Sequence, residues 1–349
     1  MLLSVSFPSW LHPEIIPGLP IRWYGLMYIV AFAVAFFLYR KQVRERNFPM
    51  TEDELSGLFV AGIAGLLLGA RIFSTLIYET SDIYIRQPWL IFWPFRDGKF
   101  TGLAGMSYHG GVIGGIIGFA IYSRVKKFDG REIADMFGAS IPLGYTFGRL
   151  GNFANAELYG RVTSGPLGMI FPNAQQFSTE ESWVREVAEK AGIDLTGLSM
   201  VNLPRHPSQL YEALFEGVVL WLIIWLLRNR KPFKGFLAGV YIAGYGFIRF
   251  ILEYFREPDA DLGYRIELVK NGIPPALFSS FFNLTTGQIL NFMMIAGGGI
   301  WLIIASRLPG REPVFRYPDK DAPPVHDAAW EERREANRKN RRKLRKKLK

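Results

Sequence analysis

Long apolar stretches are the feature that most constrains how this chain can fold. They recur at about 23–39, 55–78, 103–123, 132–149, 208–227, 235–255 and 286–306 of the 349 residues. A helix needs about 17 to 25 mainly apolar residues to cross the hydrocarbon core of a bilayer, which is about 30 Å thick. The fourth stretch is interrupted by Asp135 and Pro142. The sequence therefore predicts an all-α polytopic membrane protein with seven transmembrane helices.

The positions of the basic residues predict the orientation of these helices. Of the 41 Lys and Arg residues, 27 lie in 40–46, 124–131, 228–234 and the segment after 306. All four patches fall on the same side of a seven-helix arrangement. Because loops rich in Lys and Arg stay in the cytoplasm, we expect a periplasmic N-terminus and a cytoplasmic C-terminus. The net charge of +10 then reflects topology, and no nucleic-acid partner is expected.

Two segments are predicted to lie outside the membrane. The first, about 150–206, is long enough for a small periplasmic insert, and 178–192 within it has the pattern of a short helix with Ser178 or Thr179 as N-cap and Gly192 as stop. The second, 307–349, is a basic cytoplasmic tail that we expect to be disordered or to lie on the anionic inner leaflet. The predicted transmembrane domain thus covers 1–306.

Glycine spacing and the lack of cysteine set two further limits. Pairs of glycines four residues apart, such as Gly65 with Gly69, Gly110 with Gly114 and Gly144 with Gly148, favour close packing between membrane helices. The chain contains no cysteine, which excludes disulfides, thiolate metal sites and an enzyme thiol as nucleophile. Any cysteine that takes part in a reaction must belong to a substrate.

Ionisable residues within the apolar stretches are the main functional candidates, because charge at membrane depth is costly. These residues are Arg71, Arg149, Glu212, Glu216, Arg249 and Glu253. With the predicted orientation, most polar motifs fall at the periplasmic ends of the helices. They include Tyr24, His109, Arg149 to Arg161, His206 to Glu212, Tyr245 to Arg256 and Gln288. This common depth predicts one site on the periplasmic side.

The arginines suggest that the site binds phosphate. Arg249, Glu253 and Arg256 have the spacing i, i+4 and i+7, which places them on one helix face. Guanidinium groups offer forked donors that suit phosphate oxygens, so arginines from two helices could clamp a headgroup. Arg149 has no comparable acid nearby in sequence, which favours a ligand role, whereas Arg249 and Glu253 could simply form a structural pair. Arg71 stays open between a structural pair, a headgroup contact and catalysis.

His109 is the candidate proton acceptor. It stands at the predicted start of the third helix, where a neutral imidazole can take a proton near physiological pH. The alternative is that it only caps the helix or donates a hydrogen bond. His206, followed by Pro207 at a helix entry, is interpreted as structural.

Six motifs together resemble a known enzyme family. They are RWYG at 22–25, HGG at 109–111, GRLGNFANAELYGR at 148–161, RHPSQLYE at 205–212, the Arg249 and Glu253 pair, and TTGQIL at 285–290. In this order they resemble the prolipoprotein diacylglyceryl transferase family, over about 20 to 306. The family's functional positions would be Tyr24, His109, Arg149, Asn152, Glu157, Gly160, Tyr245, Arg249 and Glu253.

The resemblance implies a multi-pass enzyme of the bacterial inner membrane that needs no metal or cofactor. Its partners would be phosphatidylglycerol and prolipoprotein signal peptides with a lipobox cysteine. The enzyme would transfer the diacylglyceryl group to that cysteine and release glycerol 1-phosphate, the first step of lipoprotein maturation. Our hypothesis is that Arg149 and Arg249 bind the phosphate, Glu253 orients Arg249 and His109 is the base. The remaining family positions would form the headgroup pocket: Tyr24, Asn152, Glu157, Gly160 and Tyr245.

Other classes of membrane protein fit the sequence less well. A transporter would need polar groups in both leaflets, but the predicted cytoplasmic halves are apolar. An intramembrane protease would need an HExxH motif, paired aspartates or a serine and histidine dyad, and none is apparent. A structural scaffold would not need so many polar residues at one depth.

Overall fold

The chain is mostly helical. The computed structural model describes residues 5–16, 18, 21–46, 48–79, 82–96, 99–100, 105–257, 264–269, 280–309, 335 and 339. Its α-helices are α1 Trp23–Glu45, α2 Glu52–Phe73, α3 Ile83–Arg86, α4 Tyr108–Val125, α5 Gly130–Gly138, α6 Ile141–Ala154, α7 Ser182–Ala191, α8 Ser208–Glu212, α9 Leu220–Leu227, α10 Phe236–Leu252 and α11 Thr286–Arg307. Its short strands are β1 Val5–Ser6, β2 Phe95–Arg96, β3 Lys99–Phe100, β4 Met169–Ile170, β5 Gln176–Ser178, β6 Met200–Asn202, β7 Tyr264–Ile266 and β8 Leu284–Thr285.

The chain divides into two compact units. The first comprises Met1–Tyr39 and Ala134–Arg316, and the second comprises Arg40–Ile133 and Tyr317–Lys349. Apart from 307–309, 335 and 339, the predicted basic tail lies outside the described residues, as do 258–263 and 270–279 of the loop before α11.

Several helices are suited to a membrane. Within the described residues, four are long and apolar enough to cross one, and they are Trp23–Glu45, Glu52–Tyr78, Ser208–Leu227 and Thr286–Arg307. Phe236–Leu252 is also apolar but shorter. Large apolar side chains on these helices stay exposed. For example, the exposed fraction of Ile29, Leu226 and Phe292 is 64% to 67%. Lipid would cover such faces, which in water would be exposed hydrophobic patches prone to aggregation. The helical membrane class agrees with the prediction, while the number seven remains a prediction.

The fourth predicted stretch is two helices rather than one. α5 ends at Gly138 and α6 begins at Ile141, with Pro142 in its first turn. Proline lacks the N–H that a helix interior requires, so a first-turn position suits it. Asp135 of α5 accepts hydrogen bonds from the backbone N–H groups of Gly235 at 2.9 Å and Ala238 at 3.0 Å, and so caps the start of α10.

Glycines allow α2 and α4 to pack backbone against backbone. A Cβ added at Gly69 would lie 2.3 Å from the carbonyl oxygen of Gly110, and one at Gly65 would lie 2.3 Å from that of Gly114. The predicted packing role of these glycines is therefore confirmed. Gly148 differs, because a Cβ there would meet nothing within 4 Å.

The segment between α6 and α8 has its own apolar core. β5 pairs antiparallel with β6, and α7 packs on them through Val184 and Ala188, which are fully buried. The helix predicted at 178–192 ends correctly at Gly192, which has a φ of 72°, but begins only at Ser182. The proposed N-caps were wrong because Gln176–Ser178 forms β5 instead.

Candidate functional site

Arg149 and Arg249 converge on one carboxylate oxygen. Arg149 projects from α6 and Arg249 from α10. The Nε atom of Arg149 and the Nη1 atom of Arg249 each lie 2.8 Å from Oε2 of Glu212, the last residue of α8. The two nitrogens are therefore at most about twice 2.8 Å apart. Three helices thus meet at a single oxygen atom.

Glu216 and Tyr145 extend this arginine cluster. Oε1 of Glu216 lies 3.4 Å from Nη1 of Arg249, and the Tyr145 hydroxyl donates to the Glu216 carboxylate. Nε of Arg149 donates to the same hydroxyl oxygen at 2.6 Å. The guanidinium carbon of Arg149 lies 4.9 Å from the centre of the Tyr145 ring, a cation–π distance. Each arginine therefore has fixed contacts besides Glu212.

The carboxylates make it possible for two positive charges to lie together. At the largest separation that the two nitrogens can have, twice 2.8 Å, two positive charges repel each other by about 3 kcal/mol at an effective dielectric constant of about 20. Glu212 lies closer to each arginine than they lie to each other at that spacing, so the attractions exceed the repulsion. Since Arg249, Glu212 and Glu216 are buried, removing one partner would leave an uncompensated charge.

α8 and the π-helical segment that follows it present the two glutamates to α6. α8 continues directly into the π-helix Ala213–Val219, which contains Glu216. The Thr146 hydroxyl of α6 donates to the carbonyl of Ala213 at 3.2 Å. A Cβ added at Gly217 would lie 2.0 Å from Oγ1 of Thr146, so only glycine permits this approach. π-Helical turns often occur at functional sites.

Glu253 connects Arg249 to α11. Its Oε2 lies 3.4 Å from Nη2 of Arg249, and its Oε1 accepts from the Thr285 hydroxyl at 3.2 Å. Thr285 also caps α11 together with Gln288. The predicted Arg249 and Glu253 pair therefore exists. Arg256 was wrongly placed on the same helix face, because α10 ends at Leu252.

Asn152 and Glu157 extend a chain of hydrogen bonds that starts at Arg149. Nη1 of Arg149 donates to Oδ1 of Asn152 at 3.3 Å, and Nδ2 of Asn152 donates to Oε1 of Glu157 at 3.0 Å. Glu157 lies between two residues with left-handed backbone, Ala156 with a φ of 52° and Leu158 with a φ of 56°. Such strain in residues other than glycine concentrates at functional sites.

Two buried side chains of α8 hold this strained turn. Nε2 of Gln209 donates to the carbonyl of Glu157 at 2.7 Å, and the Ser208 hydroxyl donates to that of Leu158 at 3.2 Å. Both side chains are fully buried. α8 therefore fixes Glu157 as well as the arginines.

Gly160 lies where three segments approach one another. Its N–H donates to the carbonyl of His206 at 2.8 Å, and it bridges to Arg256. A Cβ at this position would lie 2.3 Å from the carbonyl oxygen of Phe255. Any other residue would push the end of α10 away from the insert.

Two tyrosines of the predicted pocket lie beside the arginine cluster. A Cβ added at Gly151 would lie 3.4 Å from Cα of Tyr24, which places the start of α1 next to Asn152. The Tyr245 ring packs edge-on against Tyr145, with ring centres 5.9 Å apart. Seven predicted site residues of the first unit thus adjoin the cluster or its extensions, and Gly160 lies at the base of the insert.

His109 belongs to the second unit and stands in the first turn of α4. Its Nδ1 lies 2.9 Å from the hydroxyl of Tyr78, the last residue of the π-helix Ser74–Tyr78. Both side chains are exposed. When Nδ1 carries the proton and donates to Tyr78, Nε2 keeps the lone pair that a base requires.

Arg71 has a structural environment in the same unit. Its side chain is buried, and it donates to the carbonyls of Ile91 at 2.5 Å and Gly105 at 3.2 Å. These contacts join the end of α2 to the segment before α4. Of the roles left open by the sequence, they favour the structural one.

His206 is likewise held in a packed environment. Its ring packs edge-on against Phe255 at 5.2 Å, and Nδ1 lies 3.5 Å from the Tyr211 hydroxyl. Burial and the nearby charge of Arg161 lower the pKa of His206 to about 4. A histidine that stays neutral between aromatic rings fits the structural role predicted for it.

Comparison with known proteins identifies the family. The family model described as prolipoprotein diacylglyceryl transferase matches residues 13–304. The chain belongs to this family. A protein of Treponema denticola named phosphatidylglycerol–prolipoprotein diacylglyceryl transferase is 56% identical over 84% of the chain and 92% of its own length. Proteins of the same name from Treponema pallidum and Chlorobaculum tepidum are 51% and 40% identical, over 85% and 83% of the chain and 94% and 89% of their own lengths.

Three residues of the cluster were not assigned to the site from the sequence of this family member. They are Tyr145, Glu212 and Glu216. Glu216 was noticed only as a charge at membrane depth, and Glu212 also as part of the polar motif at 205–212. Arg149 has no comparable acid nearby in sequence, and its partner Glu212 lies far along the chain. Glu212 and Glu216 are four residues apart on an apolar helix, which puts both carboxylates near one face. This spacing was the signal that could have assigned them to the site.

The described residues offer no evident metal site. None of them forms a group of three or more His, Cys, Asp or Glu side chains suited to a metal ion. The chemical groups that the transferase family member brings together in its first unit are guanidinium, carboxylate, phenol and amide.

Proposed function

We propose that the chain transfers the diacylglyceryl group of phosphatidylglycerol to the lipobox cysteine of prolipoproteins, with release of glycerol 1-phosphate. This is the first step of bacterial lipoprotein maturation. The convergence of Arg149 and Arg249 on one oxygen position is the observation that carries the proposal. The names of its relatives support the same reaction.

The two arginines bind the phosphodiester of the donor. Their forked donors match phosphate oxygens, and their charge stabilises the negative charge that grows on the leaving glycerol 1-phosphate. Glu253, 3.4 Å from Arg249, orients that guanidinium. Because Arg249 and Glu253 are buried, their charges act more strongly than they would in water.

The nucleophile comes from the substrate, since the chain has no cysteine. His109 takes the thiol proton, and the thiolate sulfur attacks the glyceryl carbon that is bonded to the phosphate oxygen. The new carbon–sulfur bond forms as that carbon–oxygen bond breaks, and glycerol 1-phosphate carries the electron pair away. A free thiol has a pKa near 8.5, so removal of its proton assists the attack.

The remaining family positions form the headgroup pocket. Tyr24, Asn152, Glu157 and Tyr245 lie around the arginine cluster or its extensions, where they can bind the glycerol of the headgroup. Gly160 keeps the insert close to the end of α10.

The chain spans the bacterial inner membrane seven times, with a periplasmic N-terminus and a cytoplasmic C-terminus. The distribution of Lys and Arg supports this topology. The site then opens towards the periplasm, where the lipobox of an exported prolipoprotein is found.

A mass measurement tests the proposed reaction. The purified chain is incubated with phosphatidylglycerol and a peptide containing a lipobox cysteine. We expect the peptide to gain the mass of one diacylglyceryl group, and a Cys→Ser peptide to gain nothing. An unmodified cysteine peptide, with active reference enzyme alongside, would contradict the function.

Two variants test the phosphate clamp. Arg149→Ala and Arg249→Ala should each lower phosphatidylglycerol turnover at least a hundredfold, as expected when a donor that stabilises transition-state charge is removed, at about 10² to 10³ per group. Turnover unchanged in either folded variant would remove the clamp from the mechanism.

A further inference from the structure

Glu212 lies between the guanidinium groups of Arg149 and Arg249. Oε2 of Glu212 contacts both guanidinium groups, at 2.8 Å each. A phosphate oxygen at this point would contact both arginines at once. Carboxylate and phosphate are alternative partners for the same forked donors.

The charges of the cluster also indicate that the Glu212 carboxylate and a phosphodiester are alternative partners for the two arginines. Arg149 and Arg249 already face three carboxylates, those of Glu212, Glu216 and Glu253. A phosphodiester adds another negative charge to this buried group. The simplest way to accommodate it is for one carboxylate to give up its contacts with the arginines.

Each arginine keeps other anchors when Glu212 withdraws. Arg149 retains the Tyr145 hydroxyl at 2.6 Å and Asn152 at 3.3 Å. Arg249 retains Glu216 and Glu253, both at 3.4 Å. The chain after Glu212 is a π-helical segment, a less regular backbone than the α-helix.

We propose that Glu212 is a positioning residue that aligns Arg149 and Arg249 before the lipid binds and then yields their shared contact to the phosphate of the headgroup. The proposal rests on the function proposed above. It makes Glu212 an internal competitor of the donor lipid. Loss of its charge should therefore strengthen donor binding while it impairs alignment for the reaction.

Steady-state kinetics with phosphatidylglycerol and a lipobox peptide separate these two effects. Glu212→Gln should lower the KM for phosphatidylglycerol at least threefold and lower kcat at least tenfold. Free glycerol phosphate should inhibit this variant at concentrations at least threefold lower than those that inhibit the unsubstituted chain. When chemistry is slow, KM reports binding directly.

The matched control is Glu132→Gln. Glu132 is also a buried glutamate paired with an arginine, Arg46 at 3.2 Å, so its loss should affect stability without lowering KM. If Glu212→Gln does not fold, Glu212→Asp replaces it. The shorter side chain holds the arginines less well and should shift KM and kcat in the same directions.

The outcomes distinguish the inference from the function. A KM that is unchanged or raised in the folded Glu212 variant overturns the inference, since a purely structural ion pair would give that result. Absence of lipid transfer by the unsubstituted chain overturns the proposed function instead.

Discussion

Individual side chains set both the chemistry and the pH range of this protein. The pKa of His206 is lowered to about 4 by burial and by Arg161, whereas an unfolded histidine titrates near 6.5. As pH falls from about 6.5 towards 4, the unfolded state binds the proton first, so the free energy of unfolding decreases. Stability is fully regained as pH rises above 6.5.

We therefore expect the unfolding temperature of the detergent-solubilised chain to be lower at pH 5 than at pH 7.5. His206→Gln removes the titrating group and should reduce this difference. His12→Gln, at an exposed position, serves as control and should leave it unchanged. If His206→Gln shows the full pH difference, another group is responsible.

The hydroxyl of Tyr78 should matter for the proposed base. Tyr78→Phe removes the partner of His109 Nδ1 and leaves the ring tautomer undetermined. We expect kcat to fall about tenfold, which is part of the contribution of about 10² to 10⁴ that a general base makes to the rate. Tyr108→Phe is the control, since that ring also packs against His109 but its hydroxyl makes no contact with it. Equal effects of both variants would contradict a specific role for Tyr78.

At this scale the sequence could predict residue types but not all partners. Arg249 and Glu253 were paired correctly because a spacing of four residues is a local property of a helix. Glu212 was not recognised as the partner of Arg149, because their contact joins α6 to α8 and depends on how the helices pack. Sequence spacing carries no information on such a contact.

At the scale of elements, the packing of α6 on the π-helix Ala213–Val219 determines where the glutamates lie. Gly217→Ala would place a Cβ 2.0 Å from Oγ1 of Thr146 and force the two segments apart. We expect a loss of about 1–3 kcal/mol in stability, typical of overpacking, and at least a tenfold loss of lipid transfer.

A second substitution tests this explanation. Thr146→Ala removes the closest clashing atom, so the double variant should recover part of both losses. Gly297→Ala is the control, because a Cβ there meets nothing within 4 Å. Should Gly217→Ala match Gly297→Ala in stability and activity, the close approach is not needed.

Helices were predicted well where length and apolar composition decide them and less well at their ends. α1, α2 and α11 follow from length and apolar composition. The start of α7 was missed because Gln176–Ser178 pairs with Met200–Asn202, a contact distant in sequence. The break between α5 and α6 was signalled by Pro142, whereas the contact of Asp135 with the start of α10 joins residues distant in sequence and was not predicted.

For the whole molecule, the lack of cysteine makes the proposed topology directly testable. Thr196→Cys in the insert and Asn229→Cys in the basic patch at 228–234 are both at exposed positions. A membrane-impermeant maleimide added from the periplasmic side should label the first, and should label the second only after the membrane is opened. The unsubstituted chain contains no background thiol. The reverse pattern would invert the proposed orientation.

The chain order of the cluster has a consequence for synthesis. Arg149 of α6 and its acidic partner Glu212 of α8 are far apart in the chain, and Arg249 follows later still. In the proposed topology, Arg149 reaches the insertion machinery before the ribosome has added Glu212, its counter-ion, to the chain. A lone arginine at a helix centre costs about 2.5–3.5 kcal/mol on insertion, whereas one near a helix end, as Arg149 is in α6, can reach the interface. The fourth segment therefore gains the counter-ion of Arg149 only when the fifth segment is in place.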